Sequence, residues 1–410
     1  MKALRLRRPH SRQTLRLPLA LAALAVGCSP VELPRLDTLD SMGNTGGYDA
    51  ATTAAGPVAS DEPLQEAQEP SDDLTATDAS VDFPPIAPEE VEPPTAPPPH
   101  VALKGRVLRV DGEPFHMRGV CYNPVNLSET QAQGPDFQGA TPVDIPLMQN
   151  AHINTIRTYV PLTDRAVLDA FYAAGIYVIN SVYVYGGDPP SAALDAVNAV
   201  KDHPAILMWA LGNEWNYNGL YSGMPHDEAL GRLNSLAASI KAADPNHPIA
   251  TVYGELPTPA TIAAMPAIDI WGLNAYRGLS FGNLFSDFTA RTDKPYFLAE
   301  YGADAYNSLL PGPDPDSQAF AVTQLTQEIE DHAAAFHSDG TCTGGTLFEW
   351  SDEWWKDSNG SPATQDVGGI APGAGPYPDA TFNEEWWGIV DLYRSPRPAL
   401  EALTEVFAAP

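Results

Sequence analysis

From Val101 onward the chain repeats one pattern eight times: a short apolar run, then a stretch with helical spacing. The runs are FHMRGVCYN, NTIRTYV, YVINSVYVY, AILMWALGNE, PIATVYGE, DIWGLNAY, PYFLAEYG and GGTLFEWSD. Helical patterns such as DRAVLDAFYAAG, SAALDAVNAVKDHP, HDEALGRLNSLAASIKAADP and DSQAFAVTQLTQEIEDHAAAF lie between them, and RPALEALTEVF closes the chain. A strand that is apolar on both faces must be covered on both, which calls for a parallel sheet beneath helices. Eight such units between residues 101 and 410 predict an α/β chain closed as a (β/α)8 TIM barrel. A doubly wound open sheet would need a Gly-rich phosphate turn after an early strand, and none is present. Acidic residues early in several helices and Gly175 at a capping position agree with the helical reading. GRVLRVDGEPFHMRGV reads as a hairpin turning at Asp111-Gly112 and running into the first core strand.

The first hundred residues have another texture. Lys2, Arg5, Arg7, Arg8, Arg12 and Arg16 form a basic segment, followed by the apolar LPLALAALAV and then Ala25-Val26-Gly27-Cys28. The apolar part is too short for a span of ~20 residues. The whole reads as a signal peptide over residues 1–28 ending in a lipobox, with Cys28 as the lipidated residue and plain secretion as the alternative. The expected place is the cell envelope, lipid-anchored at the outer membrane or cell surface. Residues 29–100 hold much of the chain's unusual total of 41 prolines, together with Ala, Thr, Asp and Glu and almost no aromatic residues. Such a segment buries too little apolar area to offset its ordering entropy, so it is expected to be a disordered linker. The barrel would then occupy residues 101–410.

A net charge of −30 argues against nucleic acid or an anionic membrane face as a partner. Cys121 and Cys342 in an oxidising compartment could form a disulfide or remain two buried thiols. No CxxC, HExxH or dense His/Cys cluster points to a metal, and no organic cofactor is called for. An amidohydrolase barrel would need His-x-His on its first strand, where only His116 stands.

Barrel sites lie at the C-terminal ends of the strands. Those ends carry Arg157 on the second strand, Asn213 and Glu214 on the fourth, Tyr276 on the sixth, Glu300 on the seventh and Trp350 on the eighth. Two carboxylates facing each other across a mouth are the equipment for glycoside hydrolysis, one protonating the leaving oxygen while the other attacks or activates water.

KDHPAILMWALGNEWN resembles the fourth strand of glycoside hydrolase family 2, within the retaining enzymes of clan A. KPYFLAEYGAD resembles the nucleophile strand of that family and of the family 72 β-1,3-glucanosyltransferases, which NTIRTYV and AGIYVI also resemble. The resemblance implies Glu214 as general acid/base and Glu300 as nucleophile. It implies Asn213 on the sugar 2-hydroxyl, Tyr276 donating to the nucleophile, Arg157 keeping Glu300 ionised, and Trp350 offering a flat face to the sugar at the cleaved position. Family 2 enzymes carry β-sandwich domains before the barrel, where this chain has its linker. That departure argues against exo-acting specificities such as β-galactosidase and for an open groove. The expected function is a retaining β-glycosidase acting on a β-linked polysaccharide or oligosaccharide, a β-glucan or β-mannan, as a monomer. A transglycosylase using the same glutamates, or a carbohydrate-binding barrel without turnover, are the alternatives.

Trp215, Tyr217, Tyr183, Tyr185, Trp354, Trp355, Trp386 and Trp387 lie near predicted strand ends. Stacking of sugar faces on their rings would explain them, and packing of long loops onto the barrel explains them nearly as well. Asp352 and Glu353 carry no assigned role, and His203 lies at the wrong end of its strand for catalysis.

Overall fold

The computed structural model describes residues 101–127, 129, 133–356, 360–365 and 375–409. The predicted signal peptide, lipobox and linker lie outside the described residues. Eight parallel strands close a barrel: β1 (Met117–Cys121), β2 (Thr155–Arg157), β3 (Tyr177–Tyr183), β4 (Ile206–Leu211), β5 (Ile249–Gly254), β6 (Ile270–Asn274), β7 (Tyr296–Tyr301) and β8 (Gly344–Leu347). Closure comes where β8 pairs with β1, Gly344 opposite Met117 and Leu347 opposite Val120. The TIM barrel expected from the repeat is the fold found.

Helices α1 (Phe137–Asn150), α2 (Arg165–Ala173), α3 (Pro190–Val200), α4 (His226–Ala243), α5 (Pro259–Ala264), α6 (Leu284–Arg291), α7 (Pro315–Asp331) and α8 (Pro398–Ala408) follow the strands in turn. Their starts are chemically marked. Asp136, Asp164 and Asp314 accept hydrogen bonds from first-turn amides of α1, α2 and α7, satisfying donors that have no partner inside the helix. Gly175, just past α2, takes φ +74, which a glycine permits without the Cβ penalty.

Two hydrophobic layers hold the barrel. Leu207, Met208 and Ala210 of β4 join Ile179, Ala250, Val252, Ile270, Phe297 and Ala299 inside it. Ile206, Trp209 and Leu211 of the same strand pack outward under the helices. This two-sided burial explains why β4 is apolar at every position. Each fully buried Leu or Ile contributes about 1.5–3 kcal/mol.

An antiparallel sheet of Val101–Lys104, Val107–Val110 and Glu113–Pro114 precedes the barrel. Asp111 and Gly112, both at positive φ, make the tight turn. Val101, Leu108 and Val110 pack with the inner layer and so seal the N-terminal end of the barrel. Arg106 fastens the sheet by donating to the carbonyls of Thr292 and Lys294 ahead of β7. The sequence reading had the Asp111-Gly112 hairpin but not the strand before it, VALK, which turns into VLRV at Gly105 with φ +60.

Cys121 and Cys342 are free, buried thiols. Cys121 Sγ lies 3.3 Å from the Ala299 carbonyl and Cys342 Sγ 3.3 Å from that of Gly344. The disulfide left open by the sequence is not formed. Among the described residues no helix is long and apolar enough to cross a membrane.

Candidate active site

The site begins where β4 ends. Gly212 takes φ +71, and a Cβ there would come within 2.6 Å of the Trp215 ring, so the turn is closed to other residues. Glu214 follows at φ 48, a left-handed conformation uncommon for a glutamate. The strain turns its side chain off the strand path and into the mouth. Trp215 is fully buried, its indole N–H donating to Thr251 Oγ1 at 3.0 Å, and anchors the turn from below.

Glu300, on β7, is 6% exposed and takes three donors. Arg157 Nη1 reaches its Oε1 at 2.8 Å, as does the Tyr159 hydroxyl, while the Tyr276 hydroxyl donates to Oε2 at 3.0 Å. Burial, with the neighbouring Glu300 charge adding, pushes the Tyr159 and Tyr276 phenols well above their ordinary value, so both remain donors. Arg157 is fully buried and also donates from Nη2 to Asn213 Oδ1 at 2.7 Å. Asn274 Nδ2 donates to the same oxygen at 3.2 Å, and Asn213 Nδ2 donates to the Tyr221 hydroxyl at 3.0 Å. One network therefore links β2, β4, β6 and β7 across the mouth.

The two glutamates sit in opposite environments. Burial first, and the Glu300 charge second, push the Glu214 carboxyl up to about 8; a hydrogen bond from Asn274 and the Arg157 charge oppose them in part. A carboxyl that keeps its proton near neutrality, across from a carboxylate held by three donors, is equipped for paired acid and nucleophile chemistry.

Of the residues singled out from sequence, the structure brings Arg157, Asn213, Glu214, Tyr276 and Glu300 together. Trp350 is a correction. It is 1% exposed and packs in the outer core, so it presents no open face to a sugar. Past Leu347 the chain hydrogen-bonds onto β1 through Trp350 N and Cys121 O at 3.0 Å, which folds the indole inward. Sequence reasoning missed Tyr159 and Asn274. Each lies two residues from a residue that was chosen, Arg157 and Tyr276, and the period-2 alternation of a strand puts such neighbours on one face.

The other aromatics divide. Trp215 and Trp387 are buried, whereas Tyr217 is 57% exposed. Phe348 and Trp387 pack edge-on against Tyr276, with ring centroids 6.5 and 5.2 Å away. Beside them lies an acidic cluster after β8. Lys356 Nζ is 2.5 Å from Glu353, 3.6 Å from Glu384 and 3.8 Å from Glu349, above the Phe348 ring. Glu353 also accepts from Asn123 Nδ2 at 2.6 Å, and Asp352 is clamped by Arg397. His203, paired with Asp169 at 2.9 Å, lies at the far end of β4 as anticipated. No group of three His, Cys, Asp or Glu side chains among the described residues could hold a metal ion.

Residues 191–325 match the profile of the family 2 glycosyl hydrolases, TIM barrel domain, a span that includes Glu214, Tyr276 and Glu300. The barrel resembles a family 2 catalytic domain of clan A. Among curated proteins, the β-galactosidase of Aeromonas hydrophila subsp. hydrophila is 25% identical over 281 residues, covering 62% of this chain and 23% of that protein. The β-glucuronidase of Paenibacillus borealis is 25% identical over 243 residues, 50% of this chain and 38% of that protein. Of solved structures, the galacturonate-bound family 2 β-galacturonidase of Eisenbergiella tayi superposes with a TM-score of 0.54 at 18% identity. That match covers 75% of this chain and 54% of that one, and it shows the fold. The chain thus spans well under half the length of these curated relatives.

Proposed function

We propose that the barrel is a retaining β-glycosidase in which Glu214 is the acid/base and Glu300 the nucleophile. The observation that carries this reading is the contrast between them: three donors on Glu300, and a Glu214 carboxyl pushed up to about 8 by burial and by Glu300.

In the first step Glu300 attacks C1 of the sugar as the C1–O bond breaks, and Glu214 passes its proton to the leaving oxygen. Oε2, with a single donor, is the attacking oxygen; Oε1 already receives Arg157 and Tyr159. In the second step Glu214 takes a proton from water, the hydroxyl adds to C1, and Glu300 leaves. Asn213, oriented by Arg157 and Asn274, has an amide proton to offer the sugar 2-hydroxyl. Neither step calls for a metal or organic cofactor.

The substrate proposed is a neutral β-linked glucan or mannan. Relatives named for galactose, glucuronate and galacturonate are similar over the barrel at 25% identity or less, which leaves the sugar open. The acidic cluster bears on this choice. Burial, then the Glu353 charge, pushes Glu349 well above the carboxylate range, and Glu353 and Glu384 lie closer to Lys356 than Glu349 does. The Glu384 charge also acts on Glu214. Lys356 is already matched by carboxylates, as Arg157 is by Glu300 and Arg277 by Glu255, so a neutral sugar is favoured over a uronate.

A panel of β-1,3-glucan, β-1,4-glucan, mannan, xylan, galactan and an aryl β-glucuronide tests this, with product size and anomeric configuration followed by NMR. Retention on glucan or mannan is the expected result, and longer products would mark transfer to a sugar hydroxyl. Inversion, or turnover of the glucuronide alone, would count against the proposal. We further propose an envelope location through acylation of Cys28, motivated by the basic, apolar and Ala25–Cys28 segments. Cys28→Ala should release the protein from the membrane fraction, and unchanged association would refute the anchor.

A further inference from the structure

The mouth is strained mainly on one side. Of the eight non-glycine residues at positive φ among the described ones, four (Glu214, Leu220, Tyr221 and Glu255) lie in the segments that follow β4 and β5. Strain held in this way is characteristic of functional surfaces, but it needs a partner in the chemistry.

Tyr217 supplies that partner. It rides on a single helical turn, Trp215–Asn218, directly after Glu214, and its amide donates to the Glu214 carbonyl at 2.8 Å. The turn is pinned to the end of β5 by Asn216, which donates to the Gly254 carbonyl at 3.0 Å and accepts from the Gly254 amide at 2.8 Å. The Tyr217 ring rests on Gly254 so closely that a Cβ there would fall 2.2 Å from Cε2. The ring therefore packs against the Gly254 backbone, yet is 57% exposed. The charges of Glu214 and Glu255 both bear on its phenol, which places it near both. Glu255 is itself held by Arg277, whose Nε lies 3.0 and 3.1 Å from its two oxygens and whose Nη1 donates to the Phe281 carbonyl at 3.0 Å.

We propose that Tyr217, with the Glu255–Arg277 pair beside it, forms the subsite for the leaving-group sugar, a neutral pyranose. The inference rests on the assignment of Glu214 as acid. An acid that protonates the leaving oxygen stands next to the sugar carrying that oxygen, so the surface beyond Glu214 faces the leaving group. A pyranose has one face of C–H bonds that packs on an aromatic ring, and its hydroxyls can meet the carboxylate and guanidinium at the ring's edge. A ring carried on a turn already pinned to β5 loses less entropy when the sugar arrives than one on a free loop.

The test compares a β-glycosyl fluoride, which has no leaving-group sugar, with β-1,4-glucotetraose, β-1,3-glucotetraose and β-1,4-mannotetraose. For the tetraose that the wild type cleaves, Tyr217→Ala should lower kcat/KM about tenfold, chiefly through KM, with the fluoride within about twofold of wild type. Tyr217→Phe, which keeps the ring, should stay near wild type on both. Equal losses on fluoride and tetraose, or no loss on either, would overturn the subsite while leaving the glycosidase reading intact. A wild-type protein inert on every fluoride and every tetraose would overturn both.

Discussion

The two ends of the barrel bury the same kinds of polar group and settle them differently. At the N-terminal end, Glu330 is held by His116 at 3.1 Å and Arg118 at 2.8 Å. Asp244 there is held by His247 at 2.7 Å and by the Trp209 indole at 2.8 Å. Burial acts to raise both carboxyls, but the hydrogen bonds and charges of these partners bring them below their ordinary values. Neither shares these donors with a second carboxylate. At the C-terminal end, Glu214 and Glu300 face each other, Arg157 holds Glu300 while its charge also acts on Glu214, and Glu214 is pushed up to about 8. A satisfied buried carboxylate is thus a mark of stability, and two carboxylates that cannot both ionise freely are the mark of a reactive site.

Substitutions at both ends can break this contrast. Glu300→Gln should lower kcat on an activated aryl β-glycoside by about 10⁴-fold or more with little change in Tm, read by steady-state kinetics and calorimetry. Glu214→Gln should lower kcat/KM by about 10²–10⁴-fold on an oligosaccharide, and much less on an aryl glycoside whose leaving group needs no proton. The wild-type rate should fall as pH rises through about 8, where Glu214 loses its proton, and the variant should lack that limb.

Stability gives a second reading of the same carboxyl. The folded chain keeps the Glu214 proton up to about 8, whereas an unfolded chain releases it near the ordinary 4.5. The Glu214 contribution to stability is then full below 4.5 and declines as pH rises between those values; Asp304, also pushed up to about 8 by burial, acts in the same window, so Glu214→Gln should make the slope shallower.

At the opposite end the signs reverse. Glu330 is lowered, so its contribution is present above the ordinary carboxylate range and is lost as pH falls. Glu330→Gln should destabilise by about 3 kcal/mol, roughly 6–12 °C in Tm, while kcat of the folded fraction is unchanged. A smaller effect is expected for Tyr159→Phe, about tenfold in kcat, because Arg157 still holds Oε1. A loss as large as that of Glu300→Gln would show that the phenol itself is indispensable.

The barrel was legible because apolar runs such as ILMWAL and caps such as Asp164 and Gly175 agree at every level. Asn213, Glu214 and Glu300 were legible for a related reason: each lies at or just past the end of a regular strand, where the barrel fixes the direction of the next side chain. Trp350 was misjudged because it lies beyond the last paired residue of β8, where the chain's path depends on hydrogen bonds to β1 and on packing. The cysteines show the same limit, since spacing along a chain does not report separation through a barrel wall. Tyr159 could have been found by carrying the strand alternation two residues past Arg157. No such rule leads to Lys356, whose partners come from residues 349, 353 and 384 through the fold of long loops.

The central claim is that Glu300 forms the covalent bond and Glu214 moves the proton. Incubation with a 2-deoxy-2-fluoro β-glycosyl fluoride of the sugar that is turned over, followed by mass spectrometry of the proteolysed protein, tests it directly. One fluoroglycosyl adduct on the peptide containing KPYFLAEYG, located to Glu300, is the predicted result. An adduct on Glu214, or steady turnover of the reagent to an inverted product with no adduct, would contradict the account.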